Sequence, residues 1–138
     1  MVTGDQSRHR LPREQALPLT VGEVMIARPK TFRSDIKVRE VRQAFAQSSQ
    51  RVILLVDGST FQGAIDRDAL DPEAPDSAPA VGFARRDVAT VTPATQIAEA
   101  VEVLERNREP RLVVLDADGH TLRGLLCFNQ SSGSFCVR

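Results

Sequence analysis

Two thiols, two imidazoles and a few charged clusters are the groups in this sequence able to do chemistry. Cys127 and Cys136 flank Phe128-Asn129-Gln130-Ser131-Ser132-Gly133-Ser134-Phe135, a stretch with turn chemistry. Nine residues apart, the two thiols can meet across a loop as a redox pair or, with help, grip a metal. Two thiols are an incomplete zinc set, and His9 and His120 are each isolated, so structural or incidental cysteines are expected and no metal is assigned. Catalysis needs a nucleophile with an oriented base, or two positioned carboxylates. His9 lies in a polar N-terminal stretch and His120 in a turn, so neither stands on an ordered frame. Phosphate-loop, dinucleotide and zinc-protease motifs are missing from the sequence, and no enzyme is expected.

Two charged clusters remain. Asp66-Arg67-Asp68 suits the start of a helix, where carboxylates favour the positive end of the dipole. Arg85-Arg86-Asp87 suits the solvated end of a linker.

Composition bounds what these groups can serve. The 138 residues carry 18 Lys+Arg against 18 Asp+Glu, and neutrality argues against a nucleic-acid partner. With 41% hydrophobic residues the chain can bury a core, and it is not disordered. Aromatic content is 4%, all Phe, so stacking platforms are missing. The longest apolar run, Val52–Val56, is strand-sized, which excludes a membrane helix from the sequence read. The cysteine usage fits a reducing cytoplasm.

The elements that position these groups occur twice. Placing Thr31 over Thr90 sets an offset of 59, which aligns Val38 with Ile97, Glu40 with Glu99, Phe45 with Leu104, and the run 53–57 with 112–116. The offset then grows to 61, pairing Gly63 with Gly124, as a two-residue insertion in one turn requires. Val38, Val41 and Phe45, like Ile97, Ala100, Val101 and Leu104, trace the stripe of an amphipathic helix. Ser34 or Asp35 is expected to cap the first helix and Thr95 the second. The continuous apolar runs at 52–56 and 112–115 predict strands covered on both faces, each returning through a hairpin to 63–65 or 124–126. Short extended segments at 30–33 and 89–92 precede the helices, and a brief helix is expected near Asp68–Leu70. Residues 71–79 are Pro-rich and read as a linker.

This ordered pattern resembles the cystathionine β-synthase (CBS) domain, which occurs as tandem pairs forming a Bateman module. The residues that carry the likeness are Thr20-Val21-Gly22-Glu23-Val24-Met25, Lys30-Thr31-Phe32, Val38-Arg39-Glu40-Val41, and Leu55-Val56-Asp57-Gly58 leading to Gly63-Ala64-Ile65. The resemblance implies an α/β (α+β) fold of two β-α-β-β-α repeats packed through their sheets about a pseudo-two-fold axis. Its expected divisions are a flexible leader (1–19), repeat one (20–70), a linker (71–84), repeat two (85–130) and a tail (131–138). It also implies a regulatory or sensor module, a homodimer with room for a regulatory protein partner, and an adenosine-type ligand such as AMP, ADP or ATP in an inter-repeat cleft. The implied ligand residues are Lys30, Thr31, Ile65, Asp66, Arg67, Asp68, Arg86 and Thr90. The family's Thr/Ser-x-x-Asp pair is replaced here by Asp66 with Ala69, and by Cys127 with Gln130. A carboxylate can accept from ribose hydroxyls but repels phosphate unless Arg67, Arg28 or Lys30 compensates. A degenerate, ligand-free pair serving as a dimerising scaffold is the alternative.

Overall fold

The apolar stripes at 38, 41, 45 and at 97, 100, 101, 104 become the buried faces of two helices, each laid against its own sheet. The structure is a computed structural model and describes residues 10–136. In chain order its elements are β1 (Arg10–Pro12), α1 (Arg13–Ala16), α2 (Val21–Val24), β2 (Thr31–Arg33), α3 (Val38–Gln47), β3 (Val52–Asp57), β4 (Thr60–Asp66), a 3-10 helix (Ala80–Phe83), β5 (Thr90–Val91), α4 (Ile97–Asn107), β6 (Arg111–Leu115), β7 (Leu122–Asn129) and β8 (Ser134–Cys136). The class is mixed α/β (α+β), as expected.

Two compact units form. The central one spans Lys30–Val88; the composite one joins the residues up to Pro29 with those from Ala89 onward. In the central unit the sheet order is β2-β3-β4, with β2 parallel and β4 antiparallel to β3. Ile53 to Val56 are four consecutive buried residues, so β3 is covered on both faces. Val41, Phe45, Ile53, Leu55, Ile65 and Ala80 form the core, and each large side chain stabilises by about 1.5–3 kcal/mol when fully buried. In the composite unit the order is β1-β8-β7-β6-β5, and Val21, Ile97, Leu112, Leu126 and Phe135 are among its buried residues. Val41, Phe45, Val101 and Leu104 are all buried within the chain's own cores.

The repeat seen in the sequence reappears bond by bond, with the opening segments exchanged. The Val38 amide donates to the Ala78 carbonyl at 2.9 Å, and 59 residues on, the Ile97 amide donates to the Leu19 carbonyl at 2.9 Å. In the companion pair the Ala80 amide reaches Ile36 at 2.8 Å and the Val21 amide reaches Thr95 at 2.7 Å. These bonds satisfy orphan donors at the helix starts. The segment 20–26, placed by sequence at the head of repeat one, therefore packs in the composite unit, and 78–85 packs in the central unit.

Several expectations change. Residues 71–84 do not hang free: Ala74 and Ala80 are buried, and the Asp76 carbonyl accepts from the Arg39 amide at 3.1 Å. Residues 10–19 are not a flexible leader, since β1 pairs with β8 and Ala16 is fully buried, while residues 1–9 of that leader lie outside the described residues. Of the tail, Ser134–Cys136 is a strand, and residues 137–138 lie outside the description. The helix caps are Lys37 and Gln96 in place of Ser34 or Asp35 and Thr95. Glu40 reaches back to accept the Lys37 amide at 2.8 Å, while the Thr95 hydroxyl accepts from the Thr92 amide at 3.1 Å and so closes a turn. No helix forms at Asp68–Leu70; the Ala69 amide bonds the Asp66 carbonyl at 3.1 Å in a single turn, and Pro72 disfavours helical backbone at Asp71.

Candidate functional site

The register of the central sheet brings three of the expected ligand residues to one end. Thr31 opens β2 opposite Leu54, Val52 opens β3, and Asp66 closes β4 opposite Val52. The starts of two strands and the end of the third thus gather Lys30, Thr31 and Asp66 at the same sheet end. Lys30 and Thr31 are exposed and Asp66 half-buried. The Lys30 ammonium lies 5.4 Å from the centre of the Phe32 ring. β4 forms the sheet edge, touched beyond β3 by the bridge between Ala64 and Arg85.

Both arginines among the implied ligand residues, Arg67 and Arg86, have structural partners. Arg67 donates from Nε to the Gln50 carbonyl at 2.9 Å and from Nη2 to the Ser48 and Gln50 carbonyls at 2.8 and 2.6 Å. Its guanidinium also lies 5.0 Å over the Phe45 ring. It closes the carboxyl end of α3, where the dipole favours a cation. Arg86 donates to the Gln62 carbonyl at 3.0 Å and to the Gln62 side chain. Asp68 pairs with Arg51 at 2.9 Å, and both side chains are exposed. Ile65 is 2% exposed and belongs to the core. Thr90 falls in the other unit, on β5 opposite Val113.

Close backbone approach shapes the same strand. Gly63 has a φ of +149°, and a Cβ there would lie 2.7 Å from Ala84 Cβ and 3.3 Å from the Arg85 carbonyl. Only glycine lets the 84–85 backbone reach Ala64, which exchanges two 2.9 Å bonds with Arg85.

In the composite unit the position matching Asp66 is Cys127, on a strand that runs on to Asn129 and turns back as β8. Cys127 and Cys136 stand directly opposite in the β7–β8 register with their sulfurs 3.0 Å apart, and both are half-buried. The hydrogen bond from Cys127 holds the Cys136 thiol down at about 6, aided by the Arg10 and Arg111 charges and opposed by burial. The same bond and burial push Cys127 up, so it keeps the shared proton. The nine-residue spacing around a glycine-bearing turn was the sequence signal for this hairpin pair, although it did not place the cysteines among the ligand residues.

Among the described residues no helix is long and apolar enough to cross a membrane. Residues 80–128 match the CBS domain family model. No curated protein matches the chain. Among solved structures, CBSX2 in complex with AMP is 21% identical and superposes with a TM-score of 0.70, over 83% of this chain and 92% of that one. A CBS domain protein from Pyrobaculum aerophilum complexed with AMP is 18% identical, with a TM-score of 0.67 over 82% and 94% of the two chains. The CBS domains of a transcriptional regulator from Streptococcus pneumoniae are 14% identical, with a TM-score of 0.69 over 83% and 96%. Residues 80–128 are thus similar to a CBS domain, and the chain has the fold of CBS-domain pairs.

Proposed function

We propose that this CBS pair is a non-catalytic regulatory module that senses an adenosine-type ligand of low charge through the central unit. The observation that carries this reading is the sheet end where Asp66 closes β4 beside the starts of β2 and β3, with Lys30 and Thr31 on the same end. A carboxylate there accepts hydrogen bonds from adjacent ribose hydroxyls, and the Thr31 hydroxyl adds a donor and acceptor. Arg67 and Arg86 spend donors on carbonyls of their own unit, so fewer are left to fork a triphosphate. AMP complexes of two structures with this fold support the ligand class. Adenosine and AMP therefore bind better than ATP, and they act by favouring one conformation over another. The module works in the cytoplasm as a homodimer.

Calorimetry against adenosine, AMP, ADP, ATP, S-adenosylmethionine and NAD tests this. Adenosine or AMP should bind at one per chain, ATP more weakly, and Asp66→Ala should weaken adenosine at least about tenfold, the effect of losing a charge-assisted hydrogen bond worth about 1.5–3 kcal/mol. No heat with any of the six at millimolar concentration would remove the ligand reading.

One observation favours the scaffold alternative. Val81 and Phe83, at 36% and 37%, are exposed large apolar residues on the 3-10 helix. A second copy or a regulatory protein that covers them would need no nucleotide. Light scattering of Phe83→Asp against the parent chain separates the readings: a dimer that dissociates in the variant and never takes up adenosine supports the scaffold.

A further inference from the structure

The composite unit carries a pair of groups that the ligand reading leaves unused. Cys127 and Cys136 are cross-strand partners on β7 and β8, joined by the turn at 130–133. Residues directly opposite in an antiparallel pair have Cα atoms roughly 4.5–5.5 Å apart. Disulfides span roughly 4.4–6.8 Å between Cα atoms, so the bond forms without backbone movement. The sulfurs already face each other at 3.0 Å. Both residues are half-buried and not sealed in the core, which leaves a path for a small oxidant.

From this geometry we infer that Cys127 and Cys136 form a reversible dithiol–disulfide site, oxidised by a hydroperoxide of the hydrogen peroxide class. Cys136 is the sulfur oxidised first, because the Cys127 hydrogen bond and the Arg10 and Arg111 charges stabilise its thiolate. The thiolate attacks one peroxide oxygen; the O–O bond breaks, and hydroxide leaves to take up the proton that Cys136 had released. Cys136 is then a sulfenic acid. Cys127 attacks that sulfur, the S–O bond breaks, and the departing hydroxyl takes the Cys127 proton as water. Two thiols and one peroxide give one disulfide and two waters, with the sulfurs oxidised and the peroxide reduced. A dithiol reductant reverses the step by exchange.

The site has a structural consequence. β8 is held between β7 and β1, and Arg10 is the register partner of Cys136. The disulfide therefore fixes the strand on which β1 docks, and oxidation should raise the thermal midpoint of the chain. The thiols and the Asp66 sheet end belong to different units, so the thiol site does not rest on the ligand reading.

The experiment treats the full chain with hydrogen peroxide and follows intact mass, non-reducing peptide mapping and thermal unfolding. The expected product has lost two hydrogens, carries a Cys127–Cys136 peptide crosslink within one chain, melts higher, and reverts with dithiothreitol. Cys127→Ser should trap the intermediate as a dimedone adduct on Cys136, whereas Cys136→Ser should give no fast adduct on Cys127. At pH 6 a thiol held near 6 is about half thiolate. Allowing for the lower intrinsic reactivity of a weakly basic thiolate, iodoacetamide should modify Cys136 roughly tenfold faster in the folded chain than in urea. A crosslink between chains, a dimedone adduct on Cys127, or equal rates folded and unfolded would overturn the inference. Adenosine binding that is the same before and after oxidation would leave it standing.

Discussion

Gly124→Ala is the most direct probe of how the exchanged segment is held. A Cβ at residue 124 would lie 2.6 Å from the Ile26 carbonyl oxygen and 2.8 Å from Met25 Sδ, whereas ordinary contacts begin near 3.4 Å. The methionine can turn aside, but the carbonyl is backbone and must retreat by about 0.8 Å. That carbonyl accepts from the Leu125 amide at 3.1 Å, and the Ile26 amide donates to the Leu125 carbonyl at 2.8 Å, so the retreat stretches both bonds of the bridge. Two backbone hydrogen bonds at about 1 kcal/mol each, with overpacking of about 1–3 kcal/mol, give an expected loss of at least about 3 kcal/mol. For a chain of this length that lowers the thermal midpoint by about 10 °C. Urea and thermal unfolding measure the loss. Hydrogen exchange locates it: protection should fall at Ile26 and Leu125 and persist at Ala64 and Arg85. Gly82→Ala is the control, because a Cβ there meets nothing within 4 Å, and it should stay within about 0.5 kcal/mol of the parent. A Gly124→Ala chain as stable as the parent, or a Gly82→Ala chain as weak as the Gly124 variant, would refute the steric account.

Arg67→Ala removes the donors that close α3 and the cation over Phe45, and should cost about 2 kcal/mol in urea unfolding while leaving adenosine affinity unchanged; a loss of affinity with no loss of stability would return Arg67 to the ligand site. Asp118 accepts from the Thr121 hydroxyl and from the amides of Thr121 and His120, which holds its carboxyl down at about 2 from an ordinary 3.8. Because the folded value is depressed, its contribution to stability is present above the unfolded value and is lost as pH falls through about 2, so a carboxyl carbon titration by NMR should show Asp118 ionised at pH 3. A midpoint near 3.8 would contradict the turn geometry.

Elements with a local period were legible in the sequence. The stripes of α3 and α4 and the runs of β3 and β6 announce themselves because burial of one face or both dictates residue type at fixed spacing. The offset that grows from 59 to 61 was legible too, and the hairpins explain it: Val56 pairs with Phe61, whereas Leu115 pairs with Leu122 across a turn two residues longer. The exchange of opening segments was not legible. It rests on backbone bonds such as Val38 to Ala78 and Ile97 to Leu19, which impose no side-chain pattern. The same reason hid β1, a three-residue strand paired only through its backbone, and the burial of Ala74 and Ala80 in a stretch whose prolines read as a linker. At the candidate site, the sequence offered Asp66, which the fold sets at the end of β4, but gave no sign of the carbonyls that Arg67 bonds. A residue beside a carboxylate reads as its countercharge until the fold shows the end of α3 within its reach.

The two units share a skeleton and differ where chemistry would occur, and one structural change accounts for the difference. In the central unit β4 stops at Asp66, at the same sheet end as Lys30 and Thr31. In the composite unit β7 continues past the matching Cys127 to Asn129 and folds back as β8, which β1 then covers. A strand laid against that edge occupies the backbone groups and puts a second thiol against the first. A cross-strand thiol pair is thereby created in that copy. The duplicated framework holds its geometry in both copies because the bulges at Leu55/Val56 and Val114/Leu115 and the glycines after them admit the exchanged segments in the same way. The chemical difference between the copies thus lies at the strand ends, where β4 stops at Asp66 and β7 runs on into the hairpin with β8.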